Sequence, residues 1–153
     1  MTGHILALFG LSLLLSNVSF AQVKITVPAQ LYGPHEQIHA KVKNTGKSAV
    51  TLCVEFGQTS SKEDGVESTP SPFWVQRIDK GKWGTLMIGP DVGSTRGAVV
   101  LEAGEFKEFL LRLGDSGKMR LRLSYWKGSM PGLDCNAVPK GSQQVSSGVF
   151  TIK

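Results

Sequence analysis

Apolar and polar residues alternate with a period of two in three separate stretches of this chain, at 38–43, 50–56 and 119–126. In the first of these, isoleucine, alanine and valine alternate with a histidine and two lysines. Successive side chains of a β-strand point to opposite faces of the sheet, so this pattern is typical of a strand with one buried face. No window shows the 3.6-residue apolar stripe that would favour a helix. The alternation therefore predicts an all-β protein.

Turn signals divide the alternating stretches into short strands, and glycine-containing turns occur, for example, at 44–46, 79–81 and 115–117. We predict strands near 23–27, 37–44, 49–56, 73–79, 82–88, 98–102, 105–113, 118–126 and 147–153. One run, 106–113, also fits a short helix, but it is short and lies between Gly104 and Gly114, and we predict a strand with a bulge near Glu108. Many short strands with glycine-rich turns predict an antiparallel β-sandwich of about seven to nine strands.

The first 21 residues predict export. They contain no Lys, Arg, Asp or Glu, include an apolar run at 5–15, and end in Ser19-Phe20-Ala21, with small residues at both positions that a signal peptidase reads. The alternative is an uncleaved membrane anchor, but the run is shorter than the roughly 20 residues that cross a bilayer. We therefore expect a signal peptide at 1–21, a folded domain at 22–153, no transmembrane segment after cleavage, and a periplasmic or extracellular location.

The composition fits one globular domain. The chain has 153 residues, is 41% hydrophobic and carries a net charge of +5, values that exclude a disordered chain. Two cysteines are too few for a miniprotein held together by disulfides. A domain of this size buries enough surface to fold without a metal or cofactor, and we predict neither.

Several turn and strand motifs resemble those of bacterial immunoglobulin-like domains. Residues 32–38 read YGPHEQI and residues 42–46 read VKNTG, which resembles the family's opening Y-x-P-G-E-x-I and V-x-N-T-G, with His35 in place of the usual glycine. Residues 101–105, 117–121 and 149–152 resemble its later L-x-P-G-E, G-x-Y-R-L and F-x-I motifs in the expected order. The resemblance implies a secreted immunoglobulin-like β-sandwich. Such domains serve as adhesins, inhibitor-like modules, carbohydrate binders and spacers, and no catalytic set comes with the resemblance.

The two cysteines are expected to pair, because thiols of one chain usually do so in an oxidising compartment. Cys53 is out of phase with the apolar residues of 50–56, so it should point away from the core, and Cys135 lies in the Pro- and Gly-containing stretch 128–146. We predict a disulfide that holds this stretch across the outer face of the 49–56 strand, unlike the sheet-to-sheet bridge of antibody domains. The alternative is a pair of free, reactive or metal-binding thiols.

Basic residues occupy outward-facing positions of several predicted strands. If these strands share one sheet, they form a basic face that could meet an acidic polysaccharide, another envelope component or an acidic protein, whereas nucleic acid is not expected for an exported protein. The alternative is that they provide solubility and prevent edge pairing. The residues are Lys41, Lys43, Arg112, Lys118, Arg120 and Arg122.

Three tryptophans are candidate binding residues. Trp74 and Trp83 flank the turn at 79–81, so we expect them to pair across a hairpin. Trp126 is out of phase with the core residues before it and is either exposed or covered by 128–146. An exposed tryptophan suits sugar stacking or a protein interface, and the alternative is packing in the core or under a loop.

Catalytic and metal-binding patterns are absent from the sequence. His35 and His39 have a spacing that binds zinc on a helix, but four residues along a strand span about 13 Å. The acidic residues at 63–67 lack the alternating ligands of a calcium loop. No serine lies in a G-x-S-x-G elbow. We therefore predict no catalytic residue, no metal site and no enzymatic activity.

The sequence thus predicts a non-enzymatic binding or accessory module, with partner and oligomeric state left open. One alternative is a protease inhibitor that inserts the long polar loop 57–72 into a protease cleft. Another is a carbohydrate-binding module that uses Trp74, Trp83 or Trp126.

Overall fold

The computed structural model describes residues 21–56, 71–86, 95–136 and 140–153. These residues form eleven strands and contain no helix. The strands are β1 (Val23–Thr26), β2 (Leu31–Tyr32), β3 (Gln37–Asn44), β4 (Val50–Phe56), β5 (Trp74–Asp79), β6 (Lys82–Leu86), β7 (Thr95–Leu101), β8 (Phe106–Arg112), β9 (Gly117–Lys127), β10 (Gln143–Ser146) and β11 (Phe150–Ile152).

The strands form two sheets. The smaller sheet has the order β1-β3-β8, and both of its pairings are antiparallel. The larger sheet follows the path β2-β11-β9-β4-β7; in addition, β10 pairs with β9, and β5 pairs with both β9 and β6. Its pairings are antiparallel except for that of β2 with β11. The predicted immunoglobulin-like β-sandwich is confirmed.

The core lies between the two sheets and contains the apolar half of each alternating strand. Ile38 and Val42 of β3 and Leu121 and Leu123 of β9 have no exposed surface. Their outward neighbours are polar or charged, as the period of two predicted. Fully burying one such aliphatic side chain stabilises the folded state by about 2 kcal/mol. The alternating pattern therefore accounts for the packing of the two sheets against each other.

The centre of the larger sheet changes partners along β9. β4 pairs with β9 only at 50–52, opposite 125–127. Closer to the start of β9, strand β5 takes the place of β4, and its residues 74–77 pair with 119–122. The β5–β6 hairpin therefore extends the sheet beside β9 and brings its own side chains next to those of β9.

The predicted bulge near Glu108 is wrong. β8 pairs with β3 in an unbroken register from Lys43 opposite Phe106 to Gln37 opposite Arg112. The irregularity lies instead between β10 and β11, where residues 147–149 face only 120 and 121. Ser147 stabilises this bulge: its N–H donates to the Leu121 carbonyl at 2.8 Å, and its hydroxyl accepts the Leu121 N–H at 2.9 Å.

The bulge also explains why the number of strands exceeds the prediction. It divides the last strand of the chain into β10 and β11, of which only β11 falls within the predicted strand 147–153. β2 is two residues long and was not predicted, and β7 begins earlier than the predicted 98–102. The last two residues of the predicted strand 82–88 lie outside the described residues.

The histidine that replaces a glycine of the opening motif adopts the glycine conformation. His35 has a φ of 58°, in the left-handed region that few residues other than glycine occupy. Its N–H donates to the Leu113 carbonyl at 3.1 Å, which ties the turn to the end of β8. His35 thus has the backbone conformation that a glycine, as in the resembled motif, adopts most easily.

Candidate binding surface

The outer face of the larger sheet brings together aromatic, basic and amide side chains. The β5–β9 register places Trp74 opposite Arg122 and Gln76 opposite Arg120, while the β9–β10 register places Ser124 opposite Gln144. On the hairpin, Thr85 lies opposite Gln76. We call this surface the tryptophan–arginine face and define it as Trp74, Gln76, Trp83, Thr85, Arg120, Arg122 and Gln144.

Trp74 is the exposed aromatic residue of this face. Its neighbour Val75 is fully buried, whereas 46% of the surface of Trp74 is accessible to solvent. It lines a shallow depression of about 260 Å³ together with Gln76, Thr85, Arg122 and Gln144. An indole in this position offers an apolar surface next to hydrogen-bonding groups, which is the combination that recurs in ligand sites.

The two arginines of the face are held by neutral partners. The Nε–H of Arg120 donates to Oε1 of Gln76 at 2.8 Å, and its guanidinium carbon lies 4.3 Å from the centre of the Trp83 ring. Arg122 donates to Oε1 of Gln144. In the part of the chain that the structure describes, neither arginine forms a salt bridge. Their positive charges are therefore fixed in place without a salt-bridged carboxylate among the described residues.

A second depression lies beside the first, and Gln144 lines both. It has a volume of about 630 Å³, and Lys47, Lys127, Ser48 and Gln143 are among its lining residues. The hydroxyl of Tyr125, which also lines it, donates to Oε1 of Gln143 at 2.7 Å. Among the described residues that line either depression there is no Asp or Glu.

The predicted single basic face is wrong, because β3 and β9 belong to different sheets. Lys41, Lys43 and Arg112 lie on the outer face of the smaller sheet, where Lys41 is 3.7 Å from Glu108 and 4.1 Å from the centre of the Phe106 ring. The remaining residues, Lys118, Arg120 and Arg122, are on β9 of the larger sheet. The two sets therefore face opposite sides of the sandwich.

The three tryptophans have different surroundings. Trp83 lies opposite Ile78 and not opposite Trp74, so the predicted hairpin pair is wrong, although both indoles are on the tryptophan–arginine face. Trp126 is buried, and its Nε1–H donates to the carbonyl of Lys140 at 3.2 Å. Of the two open alternatives for Trp126, the structure therefore shows the covered one.

The predicted disulfide between Cys53 and Cys135 is confirmed, and it joins residues 82 positions apart. The segment that follows β9 crosses the outer side of β4, as expected. The Thr51 hydroxyl donates to the Gly128 carbonyl at 2.8 Å and accepts the Met130 N–H at 2.9 Å. The segment held by the bridge and these hydrogen bonds covers one part of the outer surface of the larger sheet and leaves the tryptophan–arginine face open.

Sequence reasoning missed the three amide and hydroxyl residues of the site. Gln76, Thr85 and Gln144 occupy outward positions, but only the register between β5, β6, β9 and β10 shows that they surround the two arginines. The outward phase of Gln76 beside Trp74 was a usable signal. The role of Gln144 could not be predicted in this way, because β10 lies within the stretch that the sequence analysis interpreted as a loop.

The other sequence candidates do not form a second site in the described residues. His35 and His39 are both exposed, and no three His, Cys, Asp or Glu side chains within 21–56, 71–86, 95–136 and 140–153 are grouped closely enough to hold a metal ion. The acidic residues at 63–67 and the inhibitor-like loop 57–72, except for Ser71 and Pro72, lie outside the described ranges. No helix in those ranges is long and apolar enough to cross a membrane.

Comparison with known proteins gives only distant structural similarities. No family model matches the chain, and no curated protein matches it. Among solved structures, it is similar to a PapD-like domain of human CEP192, with 11% identity, a TM-score of 0.38 and coverage of 96% of both chains. It is also similar to the Salmonella enterica SafA pilin in complex with the SafB chaperone, with 14% identity and a TM-score of 0.35.

A third similar structure is the sporulation control protein Spo0M of Bacillus subtilis, with 12% identity and a TM-score of 0.37. The alignments cover 85% and 88% of this chain but only 52% and 50% of the Salmonella and Bacillus chains. With TM-scores this low, these similarities add nothing to what the strand order shows about the fold.

Proposed function

We propose that this protein is an exported, non-enzymatic binding module that recognises its ligand through the tryptophan–arginine face. The observation that carries the proposal is the exposed Trp74 beside Arg122, in a depression whose described lining contains no carboxylate. Tryptophan and arginine are the residue types that most often dominate binding energy at recognition surfaces. A solubility role would not require the arginines to be positioned by amide partners.

Export is supported by the sequence of residues 1–21 and by the disulfide. Disulfides persist in oxidising compartments and are rare in the cytosol, and Cys53–Cys135 is compatible with a periplasmic or extracellular location. The apolar run and the small residues before Gln22 remain the basis for cleavage at that point. Mass spectrometry of the secreted or periplasmic protein tests this part: a chain that begins at Gln22 supports it, and an unprocessed cytoplasmic chain contradicts it.

A retention assay tests the binding role. The immobilised protein is exposed to fractionated envelope and culture-medium extracts of the organism that encodes it, alongside the variant Trp74→Ala/Arg122→Ala. The control variant, Phe106→Ala/Lys43→Ala, removes an exposed aromatic ring and one cation from the outer face of the smaller sheet. We expect a component that the wild type and the control retain and the Trp74/Arg122 variant loses.

Three outcomes would contradict the proposal. Equal retention by all three proteins, or none by any of them, would remove the tryptophan–arginine face as the binding surface. Chemical turnover of the retained component, seen as a change in its mass during incubation, would show that the module is an enzyme.

A further inference from the structure

We infer that the ligand of the tryptophan–arginine face is an anionic polysaccharide that extends across both depressions; this inference rests on the proposed function. The two depressions are adjacent, since Gln144 lines both. Together they offer an exposed indole, three cationic side chains and several amide and hydroxyl groups. The cations are Arg122, Lys127 and Lys47.

The exposed indole suits a sugar ring. The face of an aromatic ring carries partial negative charge, and the C–H groups on one side of a pyranose ring carry partial positive charge, so the two stack favourably. Trp74 offers one such ring at the surface. Trp83 is less accessible for this purpose, because the guanidinium of Arg120 lies over its ring. One stacked sugar at Trp74 is therefore the anchor that the structure supports.

The charges of the surface favour an anionic ligand. Arg122 lines the first depression, Lys47 and Lys127 line the second, and neither lining includes a carboxylate among the described residues. Elsewhere on the described surface cations do have acidic neighbours, as in the pairs Lys41–Glu108 and Arg77–Asp115. Cations that have no acidic neighbour among the described lining residues attract a polyanion more strongly than a neutral sugar.

The amide groups favour a ligand rich in hydroxyl groups. Each glutamine side chain has an acceptor oxygen and two amide hydrogens. The oxygens of Gln76 and Gln144 accept from the two arginines, which directs their amide N–H groups elsewhere, and Thr85 adds a hydroxyl to the same depression. These donors can bind ring hydroxyls of the ligand while the arginines bind its acidic groups.

The spacing of the cations requires a chain of sugars. Arg122 and Lys127 are five residues apart on β9, which corresponds to about 17 Å along a strand, and this odd spacing places them on opposite faces of the sheet, on either side of Gln144 in β10. A single sugar stacked on Trp74 contacts only the first of these cations. An oligosaccharide that passes Gln144 reaches the second depression, so the predicted affinity increases with chain length.

Other macromolecules fit the surface less well. The core of a protein interface is about two-thirds apolar, whereas Trp74 is the only exposed large apolar residue of the tryptophan–arginine face. Nucleic acid carries the negative charge of the proposed ligand, but it is not expected in the oxidising compartment that the disulfide indicates. The test therefore also measures the binding of an acidic polypeptide and of duplex DNA.

The test measures binding of the purified protein to polygalacturonate, to neutral dextran, to poly-L-glutamate and to duplex DNA by titration calorimetry. We expect polygalacturonate to bind and dextran to bind weakly or not at all. Trp74→Ala and Arg122→Gln should each weaken polygalacturonate binding by about tenfold or more, a loss typical of residues that dominate an interface. Lys127→Gln should weaken the binding of long polygalacturonate chains and leave the affinity for the shortest oligosaccharide that binds unchanged.

Lys43→Gln and Arg112→Gln are the matched controls, since each removes one cation from the smaller sheet, and both should bind within about twofold of the wild type. Circular dichroism spectra of all variants must match that of the wild type, and Trp74→Phe, which keeps an aromatic ring, should restore part of the affinity.

Three results would overturn the inference: no binding of polygalacturonate, equal losses in the control variants, or tighter binding of poly-L-glutamate or DNA. The proposed function survives any of these if the retention assay still finds a component whose capture depends on Trp74. It fails if that assay finds none.

Discussion

The side-chain amide of Asn44, at the end of β3 in the smaller sheet, donates a hydrogen bond of 3.0 Å to the carbonyl of Leu101, at the end of β7 in the larger sheet. The same nitrogen is 2.8 Å from the Ser48 carbonyl, and its Oδ1 accepts the Gly46 N–H at 3.0 Å. The residue has no exposed surface. One buried amide therefore joins the two sheets and fixes the turn that connects β3 to β4.

Replacing Asn44 by alanine should lower the free energy of unfolding by about 2–3 kcal/mol, because it removes the buried hydrogen bond to the Leu101 carbonyl and the acceptor of the Gly46 N–H. Urea denaturation measures the change. Asn136→Ala is the control, since Asn136 is exposed and its alanine variant should stay within about 0.5 kcal/mol of the wild type. Equal stabilities of the two variants would contradict the role assigned to Asn44.

Removing the disulfide should destabilise the fold and loosen the segment after β9. The double variant Cys53→Ala/Cys135→Ala should lose about 2–4 kcal/mol of stability, because the bridge closes a long loop in the unfolded chain. Trypsin should then cut after Lys127 faster than in the wild type, because only hydrogen bonds such as those to Ala49 and Thr51 would then hold residues 128 and 130, without the covalent link. Two titratable thiols in the denatured, unreduced wild type would contradict the bridge itself.

Two glycines should respond differently to alanine. Gly117 has a φ of 126°, which alanine rarely adopts, and an added Cβ would lie 3.3 Å from Cδ of Arg77. We expect Gly117→Ala to cost about 2 kcal/mol. Gly84 lies in β6 with open space around the position of a Cβ, so Gly84→Ala should be neutral or slightly stabilising. Thermal melts compare the two, and a larger loss for Gly84→Ala would be inconsistent with the described backbone.

Acrylamide quenching should distinguish the tryptophans. Trp74 is 46% exposed and Trp126 is 7% exposed. The variant Trp74→Phe should therefore lose most of the quenchable fluorescence, and Trp126→Phe should keep it. Arg120→Ala should increase quenching by uncovering the ring of Trp83. If Trp126→Phe reduced quenching more than Trp74→Phe, the surface proposed for binding would not be the exposed one.

Local patterns in the sequence predicted most of the strands because each depends on a few neighbouring residues. The alternation in β3 predicted its bounds, and the presence of only two cysteines left one intramolecular disulfide to expect. Where the pattern was short or interrupted, prediction failed: β10 was interpreted as a loop, and the bulge was placed at Glu108 when Ser147 forms it.

The sequence by itself determined which side chains point inward, where the chain turns, and that Cys53 lies outside the core. The tertiary structure alone decided which strands share a sheet. It separated Lys43 from Arg122, and it brought Gln144 next to Arg122. The physical reason is that a period of two specifies a strand's buried face, whereas its pairing partner is chosen by hydrogen bonds and packing between residues far apart in the chain.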